Sequence, residues 1–266
     1  MAQTSFVEYY DRFRPLRGYF RFLWGAAFSK NNAERRSFLN RAEDYLRLSK
    51  DETLRKLHLE LSEILERQAR EWPHYDYGEG YFYQGLAALG ITGLRSTEAR
   101  ISSYRLLDHV AGKSVLDIGC NAGFLAVSLA QSARDVTGFD INPFLIEAGN
   151  AAARVLQRNN VRLSAGAFED AALDGPYDVV MSLANHSTFD GQTRYSLNAY
   201  FDRCQSLLRP QGLFLFESHT PSFEGSGLTD VCDMIAARFR IRDRRIYDYG
   251  TYLDRGRTFI VAESRD

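Results

Sequence analysis

The segment Asp117–Gly123 constrains the fold of this chain more than any other sequence feature. It reads Asp-Ile-Gly-Cys-Asn-Ala-Gly, follows the apolar pair Val115-Leu116 and runs into the apolar residues 124–127. The pattern predicts a buried strand, a glycine turn and a helix in direct succession. Glycines in such a turn allow positive φ and close approach of the backbone, and the following helix presents unpaired N–H groups. The segment is therefore typical of a ligand-binding turn.

The spacing Asp-x-Gly-x-x-x-Gly indicates which kind of ligand the turn binds. It differs from the Gly-x-Gly-x-x-Gly pattern that holds a pyrophosphate. Asp117 stands where the strand ends, and a carboxylate there would repel a phosphate but attract the amino group of a cationic ligand. Asp140 ends the next predicted strand, where an acid can accept hydrogen bonds from both ribose hydroxyls. The two acids predict S-adenosylmethionine as the cofactor and S-adenosylhomocysteine as its product.

Other residues follow predicted strands at the same edge of the sheet. Phe168 and Glu169 come after the third strand, where a ring can stack on adenine and a carboxylate can reach its polar edge. A core phenylalanine followed by an acidic helix start is the alternative interpretation. Ser182 ends the fourth strand, and ligands of open sheets lie at such strand ends. The remaining predicted contacts in and beside the turn are Gly119, Cys120, Asn121, Gly123 and Ile141.

The chain from Ser114 onward alternates predicted strands with predicted helices. Such alternation implies an α/β fold, a doubly wound and mostly parallel sheet covered by helices on both faces. The last two strands are joined by a short, turn-rich segment, so we expect them to pair antiparallel. The predicted strands are 114–118, 135–139, 161–164, 177–183, 212–217, 239–247 and 257–263, with helices beginning near Gly123, Pro143, Glu169, Thr193 and Leu228.

The first part of the chain is predicted to be helical. Between Phe6 and about Trp72, apolar residues recur at helical spacing among charged ones. Pro73 ends this pattern, and a segment rich in glycine and tyrosine follows. The predicted divisions are an N-terminal α-helical appendage (1–74), a lid or linker with a lead-in helix (75–111) and a cofactor-binding domain (112–266).

Composition excludes several classes of protein. A formal net charge of -1 argues against a protein whose main role is to wrap nucleic acid. The 3 cysteines form no Cys-x-x-Cys pair, which suits a reducing compartment. No apolar run is long enough to span a bilayer, and the N-terminus does not resemble a signal sequence. We therefore expect a cytoplasmic protein without a membrane partner, and we leave open a homo-oligomer formed through the N-terminal helices.

The segments Val115–Ile141 and Leu207–Gly212 resemble the class I S-adenosylmethionine-dependent methyltransferase superfamily. The resemblance covers the cofactor-binding domain and implies a Rossmann-like methyltransferase fold with seven strands in the order 3-2-1-4-5-7-6, the seventh antiparallel. More narrowly, Gly93–Arg100 is similar to relatives of the tRNA wobble-uridine modification enzymes and to bacterial polysaccharide methyltransferases. In those relatives an upstream arginine or tyrosine reaches the donor carboxylate. The candidates for that role here are Tyr83, Arg95 and Arg100.

Two histidines are the candidate catalytic residues. Methyl transfer from a sulfonium is downhill, so the protein mainly holds the nucleophile in line and excludes water. A general base helps when the acceptor is a poorly acidic hydroxyl. His186 and His219 each follow a strand at the ligand edge, and Asp190 could orient one of them. A divalent metal held by these three residues and Glu217 is an alternative, but the spacing is no local metal motif, and no metal is predicted.

Three functions are compatible with these motifs. The favoured one is an enzyme that O-methylates a small molecule or a glycan-like metabolite. The first alternative is a tRNA-modifying methyl or carboxymethyl transferase, in which arginines near both ends of the chain would bind phosphates. Against it, acidic residues interleave with the arginines of 238–257, which is typical of a solvated edge strand. The second alternative is a non-catalytic module that binds the nucleotide and joins a partner through its helices.

Overall fold

The computed structural model describes residues 16–48, 51–72, 76–188, 193–225, 227–247 and 255–265. The chain divides into two compact units, Met1–Glu98 and Ala99–Asp266. The three-part division drawn from the sequence stays a prediction. Within the described part of the chain, no helix has the length and apolarity that crossing a bilayer requires.

From residue 16 to residue 72, the described part of the first unit contains three helices, as predicted; the predicted helical stretch from Phe6 to residue 15 lies outside the described residues. Helix α1 covers residues 16–27, α2 covers Asn32–Arg47 and α3 covers Glu52–Glu71. Side-chain caps explain where the last two begin, because Asn31 accepts the backbone N–H of Glu34 at 2.8 Å and Asp51 accepts that of Leu54 at 3.0 Å. Two short parallel strands then form, β1 (Gln84–Gly85) and β2 (Arg95–Ser96), and α4 (Thr97–Ser103) follows them.

Asp44 ties α2 to the segment around the two short strands. Its side chain is fully buried and accepts the Tyr81 hydroxyl at 2.7 Å. The backbone N–H and the hydroxyl of Thr92 each donate to it at 2.6 Å. These hydrogen bonds offset the cost of burying the carboxyl group. Asp44 is thus one of several side chains of α2 and α3 that bond to the segment 78–93, together with Ser37, Asn40, Arg41 and His58.

The second unit contains a seven-stranded sheet in the order β5-β4-β3-β6-β7-β9-β8. All neighbouring pairs are parallel except β7 with β9 and β8 with β9. Counted within the unit, this is the predicted order 3-2-1-4-5-7-6. The strands are β3 (Ser114–Ile118), β4 (Asp135–Asp140), β5 (Val161–Ala165), β6 (Tyr177–Leu183), β7 (Leu208–Glu217), β8 (Phe239–Tyr247) and β9 (Arg257–Ser264).

Helices cover the sheet because its central strands are apolar on both sides. Every residue of β3 is buried, and so is every residue of β6 except Asp178. Continuous burial of this kind is typical of parallel strands between two helical layers. The predicted α/β, doubly wound fold is therefore confirmed. The helices are α5 (Leu106–Val110), α6 (Phe124–Leu129), α7 (Pro143–Val155), α8 (Leu197–Ser206), α9 (Pro221–Glu224) and α10 (Gly227–Arg238).

The helix predicted to begin near Glu169 is wrong, since the chain forms a turn and a segment without regular secondary structure between β5 and β6. Arg203 of α8 explains the difference. Its guanidinium donates to the carbonyl oxygens of Glu169 at 3.2 Å and Ala171 at 2.7 Å. A helix would use those carbonyls for its own backbone bonds. Two boundaries also shift, because β7 begins at Leu208 instead of Gly212 and α8 begins at Leu197 instead of near Thr193.

Three glycines from three different elements surround Leu163 of β5. A Cβ atom added to Gly123 of the turn would lie 2.6 Å from a Leu163 methyl carbon, and one added to Gly138 of β4 would lie 2.8 Å away. A Cβ atom at Gly149 of α7 would lie 2.7 Å from Leu163 and would overlap the Ala122 carbonyl oxygen. No side chain fits at these positions without displacing a neighbour. The Leu163 side chain therefore packs directly on the backbone of the turn, of β4 and of α7, and α7 contacts the backbone of the turn at Gly149.

We expect Gly149→Ala to destabilise the second unit by about 1–3 kcal/mol, because the added methyl group overpacks the contact between α7 and the turn. Helix propensity alone predicts the opposite effect, an increase of about 1 kcal/mol in the free energy of unfolding. Thermal and urea unfolding followed by circular dichroism would measure the change. Gly227→Ala is the matched control, since a Cβ there meets nothing within 4 Å and should leave stability equal or higher. Equal stability of Gly149→Ala and wild type would contradict the packing argument.

Candidate functional site

The turn between β3 and α6 has a backbone that few sequences can adopt. Gly119, Asn121 and Gly123 have φ angles of 60°, 57° and 66°, all in the left-handed region. Glycine occupies two of these positions and asparagine, which tolerates this region best among the others, occupies the third. The Cys120 N–H donates to the Phe139 carbonyl at 2.9 Å, which fixes the turn against β4. The sequence pattern thus folds locally as predicted.

Asp117 is a buried carboxylate with an unsatisfied oxygen. The residue is 3% exposed, and its Oδ2 atom has no hydrogen-bond partner among the described residues. Burial raises the pKa of Asp117 from the ordinary 3.8 to about 7, with Arg100 opposing the rise and Asp140 adding to it. A buried acceptor without a donor costs free energy. The position is therefore suited to a ligand that brings a positively charged donor.

Asp140 is held at the end of β4 by backbone N–H groups. Its Oδ2 accepts from Asn121 of the turn at 2.8 Å, and its Oδ1 accepts from Asn142 at 3.0 Å. Asn142 in turn caps α7, because its side chain accepts the N–H groups of the first helical turn. Each carboxylate oxygen can accept more than one hydrogen bond. The arrangement fixes the orientation of Asp140 and leaves its carboxylate suited to accept hydrogen bonds from the two hydroxyls of a diol. Ile141, which lies between Asp140 and the cap residue Asn142, is half-buried.

Asn185 is a residue of this region that the sequence did not single out. The Ser182 hydroxyl donates to its Oδ1 at 2.7 Å and the Tyr200 hydroxyl does so at 2.9 Å. Its Nδ2 atom is buried and has no partner in the described part of the chain. A Cβ at Gly119 would lie 2.8 Å from that atom, so the amide lies against the glycine turn. Ser182 thus orients Asn185. The sequence signal that could have identified Asn185 is its position two residues past the end of β6, where a polar side chain can face a ligand.

Phe168 and Glu169 are both engaged within the second unit. The Phe168 ring is 7% exposed and stacks on Phe139 with the centroids 5.7 Å apart. The Arg203 guanidinium lies 4.9 Å from the same ring. The Glu169 carboxylate accepts the backbone N–H groups of residues 194 and 195 at 2.8 and 3.1 Å. These contacts favour the core interpretation of Phe168, and its contact with an adenine stays a prediction.

The three upstream candidates for the donor carboxylate are divided between the units. Tyr83 and Arg95 belong to the first unit, where the Arg95 guanidinium lies 5.9 Å from the Tyr83 ring centre. Arg100 belongs to the second and is 8% exposed. It forms an ion pair with the fully buried Glu217 and donates to the Leu183 carbonyl at 3.3 Å. Arg100 is therefore the candidate that the second unit places near Asp117.

A second arginine completes the pair around Glu217. The Arg257 Nη1 atom lies 3.4 Å from Glu217 Oε1 and donates to the Ser218 carbonyl at 3.0 Å. A buried carboxylate between two guanidinium groups is compensated, whereas removing one partner would leave a buried charge. Glu217 was one of four residues in the metal alternative drawn from the sequence. The structure assigns it to this ion-pair network.

The two candidate catalytic histidines lie side by side, with ring centres 5.0 Å apart. His186 is 1% exposed, and its Nε2 atom lies 3.1 Å from Glu224 Oε1. Burial, together with the charge of His186, lowers the pKa of His219 to about 4, so this ring is neutral at neutral pH. Asp190, predicted to orient one of them, lies outside the described residues. Glu224 of α9, which the sequence reasoning missed, is the acid found beside them.

The arginines of β8 face acidic partners on the same hairpin. Arg240 and Arg242 form ion pairs with Glu263 of β9, and Arg245 pairs with Asp243 at 2.6 Å. Strand β8 is the edge of the sheet, with most of its side chains exposed. Charged side chains on an edge strand hinder pairing with other sheets. This arrangement agrees with the solvated-edge interpretation of the arginine row.

Two curated relatives match part of the chain. The ubiquinone biosynthesis O-methyltransferase of Acinetobacter baumannii (strain AYE) is 31% identical over 113 residues, which are 41% of this chain and 45% of that protein. The magnesium-protoporphyrin O-methyltransferase of Rhodobacter capsulatus is 34% identical over 89 residues, 34% of this chain and 39% of that protein. The chain thus spans less than half the length of these relatives.

Among solved structures, the N-methyltransferase NodS from Bradyrhizobium japonicum WM9, in complex with S-adenosylhomocysteine, has the same fold. The TM-score is 0.53 and the sequence identity is 15%, over 81% of this chain and 100% of that one. A family model described as a methyltransferase domain matches residues 109–245, just over half of the chain. Its match covers the glycine turn, both acids and most of the sheet. The chain therefore belongs to the methyltransferase domain family, within the class I S-adenosylmethionine-dependent group.

Proposed function

We propose that this protein transfers a methyl group from S-adenosylmethionine to a hydroxyl oxygen of a small molecule or a glycan-type metabolite. The buried, unsatisfied Asp117 carboxylate carries the proposal. S-adenosylmethionine carries a free, positively charged amino group, which would donate a hydrogen bond to the unsatisfied Oδ2 atom of Asp117. A charge-assisted hydrogen bond of this type contributes about 1.5–3 kcal/mol.

The other side chains of the turn have complementary roles in this proposal. Asp140, oriented by the N–H groups of Asn121 and Asn142, accepts hydrogen bonds from the ribose hydroxyls. Gly119 and Gly123 let the turn pack against Asn185 and Leu163, where a Cβ atom would collide with those side chains, and they leave the backbone of the turn open to the nucleoside. Asn121 Oδ1 and Asn185 Nδ2, both buried and without partners among the described residues, are further polar contacts for the cofactor. Cys120 is buried, and its contact with the cofactor stays a prediction.

A hydroxyl acceptor is favoured over an amine by two observations. Both curated relatives are named O-methyltransferases, although this chain spans less than half of each. A hydroxyl must lose its proton during transfer, and the His186–His219 pair lies at the end of β6 and β7, the edge where the cofactor acids lie. The ion pairs of β8 leave its arginines less suited to bind an RNA backbone. The resemblance of Gly93–Arg100 to tRNA-modification and polysaccharide enzymes stays a prediction.

We expect Asp117→Asn to weaken binding of S-adenosylhomocysteine by about 10- to 100-fold, because the amide cannot balance the ligand's ammonium group. The wild type should also bind more tightly as pH rises from 6 to 8, by close to tenfold, as the carboxyl ionises around its pKa of about 7. The variant should lack this slope. Isothermal titration calorimetry at several pH values would measure both effects.

The control for this experiment is Asp108→Asn, which removes an exposed acid paired with Arg105. Its affinity and pH slope should equal those of the wild type. An Asp117→Asn variant that binds the ligand as tightly as wild type at pH 8 would refute the proposed role of this carboxylate.

The same pKa predicts how stability without ligand depends on pH. Because the pKa of Asp117 is raised on folding, the folded state holds its proton longer than the unfolded state between about pH 4 and pH 7. The wild type should therefore lose stability as pH rises through that window, by a total on the order of 4 kcal/mol. Asp117→Asn should abolish this loss and melt at a higher temperature than wild type at pH 8. Differential scanning calorimetry across this range tests the sign, and a lower melting temperature of the variant at pH 8 would be incompatible with it.

The acceptor class is tested with methyl-labelled S-adenosylmethionine and fractionated cell extract. We expect label to enter the small-molecule or glycan fraction with the wild type and not with Asp117→Asn. The labelled product should keep its methyl group as an ether, which mass spectrometry of the product identifies. Label found only in RNA would make the proposed acceptor wrong while leaving the cofactor assignment intact.

A further inference from the structure

Three potential metal ligands meet at the ends of β6 and β7. One ligand atom each from His186, His219 and Glu224 can be chosen so that all three lie within 4.8 Å of one another. We propose that these residues bind one divalent transition-metal ion of the zinc type. The inference goes beyond the proposed function, and it rests on that function only for the ion's role beside an acceptor hydroxyl.

The distances agree with a shared ion. His186 Nε2 and Glu224 Oε1 are 3.1 Å apart. Two ligand atoms on a tetrahedral zinc ion lie roughly 3.3–3.5 Å apart, given bonds of about 2.0–2.2 Å. Small side-chain movements therefore suffice to place this pair around one ion. Two histidines and one glutamate are also a ligand set found at catalytic zinc sites, which keep a further position open for water or a substrate oxygen.

His186 is the independent observation that points to a ligand. It is 1% exposed, and its Nδ1 atom has no hydrogen-bond partner among the residues that the structure describes. Its Nε2 atom has the Glu224 carboxylate 3.1 Å away but makes no aligned hydrogen bond with it. A buried imidazole in this state is costly, since both nitrogens have lost their water. The rings of Phe201 and Phe216 lie beside the imidazole and offer it no polar contact. A cation between Nε2 and the Glu224 carboxylate would give both groups a well-oriented partner.

The neighbours of the other two residues resemble the outer shell of a metal site. His219 Nε2 lies 2.6 Å from the Ser187 carbonyl oxygen, so the proton of the neutral ring belongs on Nε2 and the lone pair on Nδ1. Glu224 Oε1 accepts the His219 backbone N–H at 2.7 Å. Metal-bound histidines and carboxylates commonly have such supporting hydrogen bonds, which fix the tautomer and the orientation. The cluster is therefore held in place before any ion arrives.

The charges balance with an ion present. Two neutral imidazoles and one carboxylate leave a divalent ion with a net charge of +1, which an additional anionic oxygen can neutralise. Arg257, the nearby cation, is already paired with Glu217 at 3.4 Å. In the proposed reaction, an ion here would lower the pKa of an acceptor hydroxyl, so His186 and His219 would act as ligands and not as direct proton acceptors.

Cobalt and zinc titrations of the full chain test the site. The purified protein is stripped with a chelator and then titrated with Co²⁺ by visible absorption and with Zn²⁺ by calorimetry. We expect one ion per chain and the visible bands of four- or five-coordinate cobalt, without the thiolate charge-transfer absorption that binding to a cysteine would produce. Zinc should compete with cobalt for the same site.

Variants separate this site from incidental binding. His186→Gln and Glu224→Gln should each lower the affinity for Zn²⁺ by more than about 100-fold and abolish the cobalt bands. His109→Gln, which changes a half-buried histidine outside the cluster, should bind as wild type does. Circular dichroism and S-adenosylhomocysteine binding establish that each variant is folded. No saturable binding to the wild type, or unchanged binding to both variants, would refute the metal site whether or not the proposed methyl transfer holds.

Discussion

The close packing of three glycines around Leu163 holds together the segments that carry the candidate cofactor site. Gly123, Gly138 and Gly149 come from the turn, β4 and α7, and none leaves room for a Cβ atom. Because α7 lies directly on the turn, its cap residue Asn142 and the neighbouring Asp140 are placed opposite Asn121. The spacing of Asp117 and Asp140 follows from the β3–β4 ladder, in which Asp117 lies opposite Gly138, two residues before Asp140. The packing around Leu163 holds the turn and α7 against that ladder.

Buried ionisable groups at the same sheet edge are compensated to different degrees. Glu217 has two arginine partners and is fully buried. Asp117 has an oxygen without any donor in the described chain, and His186 has an Nδ1 atom without a partner there. Buried polar atoms that lack a partner cost free energy, which a bound ligand can offset. This difference is the reason to place Asp117 and His186, and not Glu217, among the candidate site residues.

The sequence predicted the sheet well because its strands carry local signals. Strands β3, β6 and β8 have the predicted boundaries, the strand order is confirmed, and the family and cofactor class agree with the domain match. The helix expected near Glu169 failed because a distant side chain, Arg203, takes the carbonyls that a helix needs. Glu224 could not be found, since its importance comes from the histidines that the fold brings beside it. Asn185 carried one local signal, its position two residues past the end of β6, but its contact with the glycine turn is made only by the fold.

The Cys120 thiol gives the protein an internal reporter. It is 2% exposed at the centre of the turn, and burial raises its pKa well above the ordinary value for a thiol. Thiolate is the reactive form, so alkylating reagents react with this cysteine only when the turn opens. The rate of alkylation at this single sulfur therefore measures how often the turn leaves its closed conformation. A bound nucleoside that holds the turn closed would protect this sulfur from alkylation.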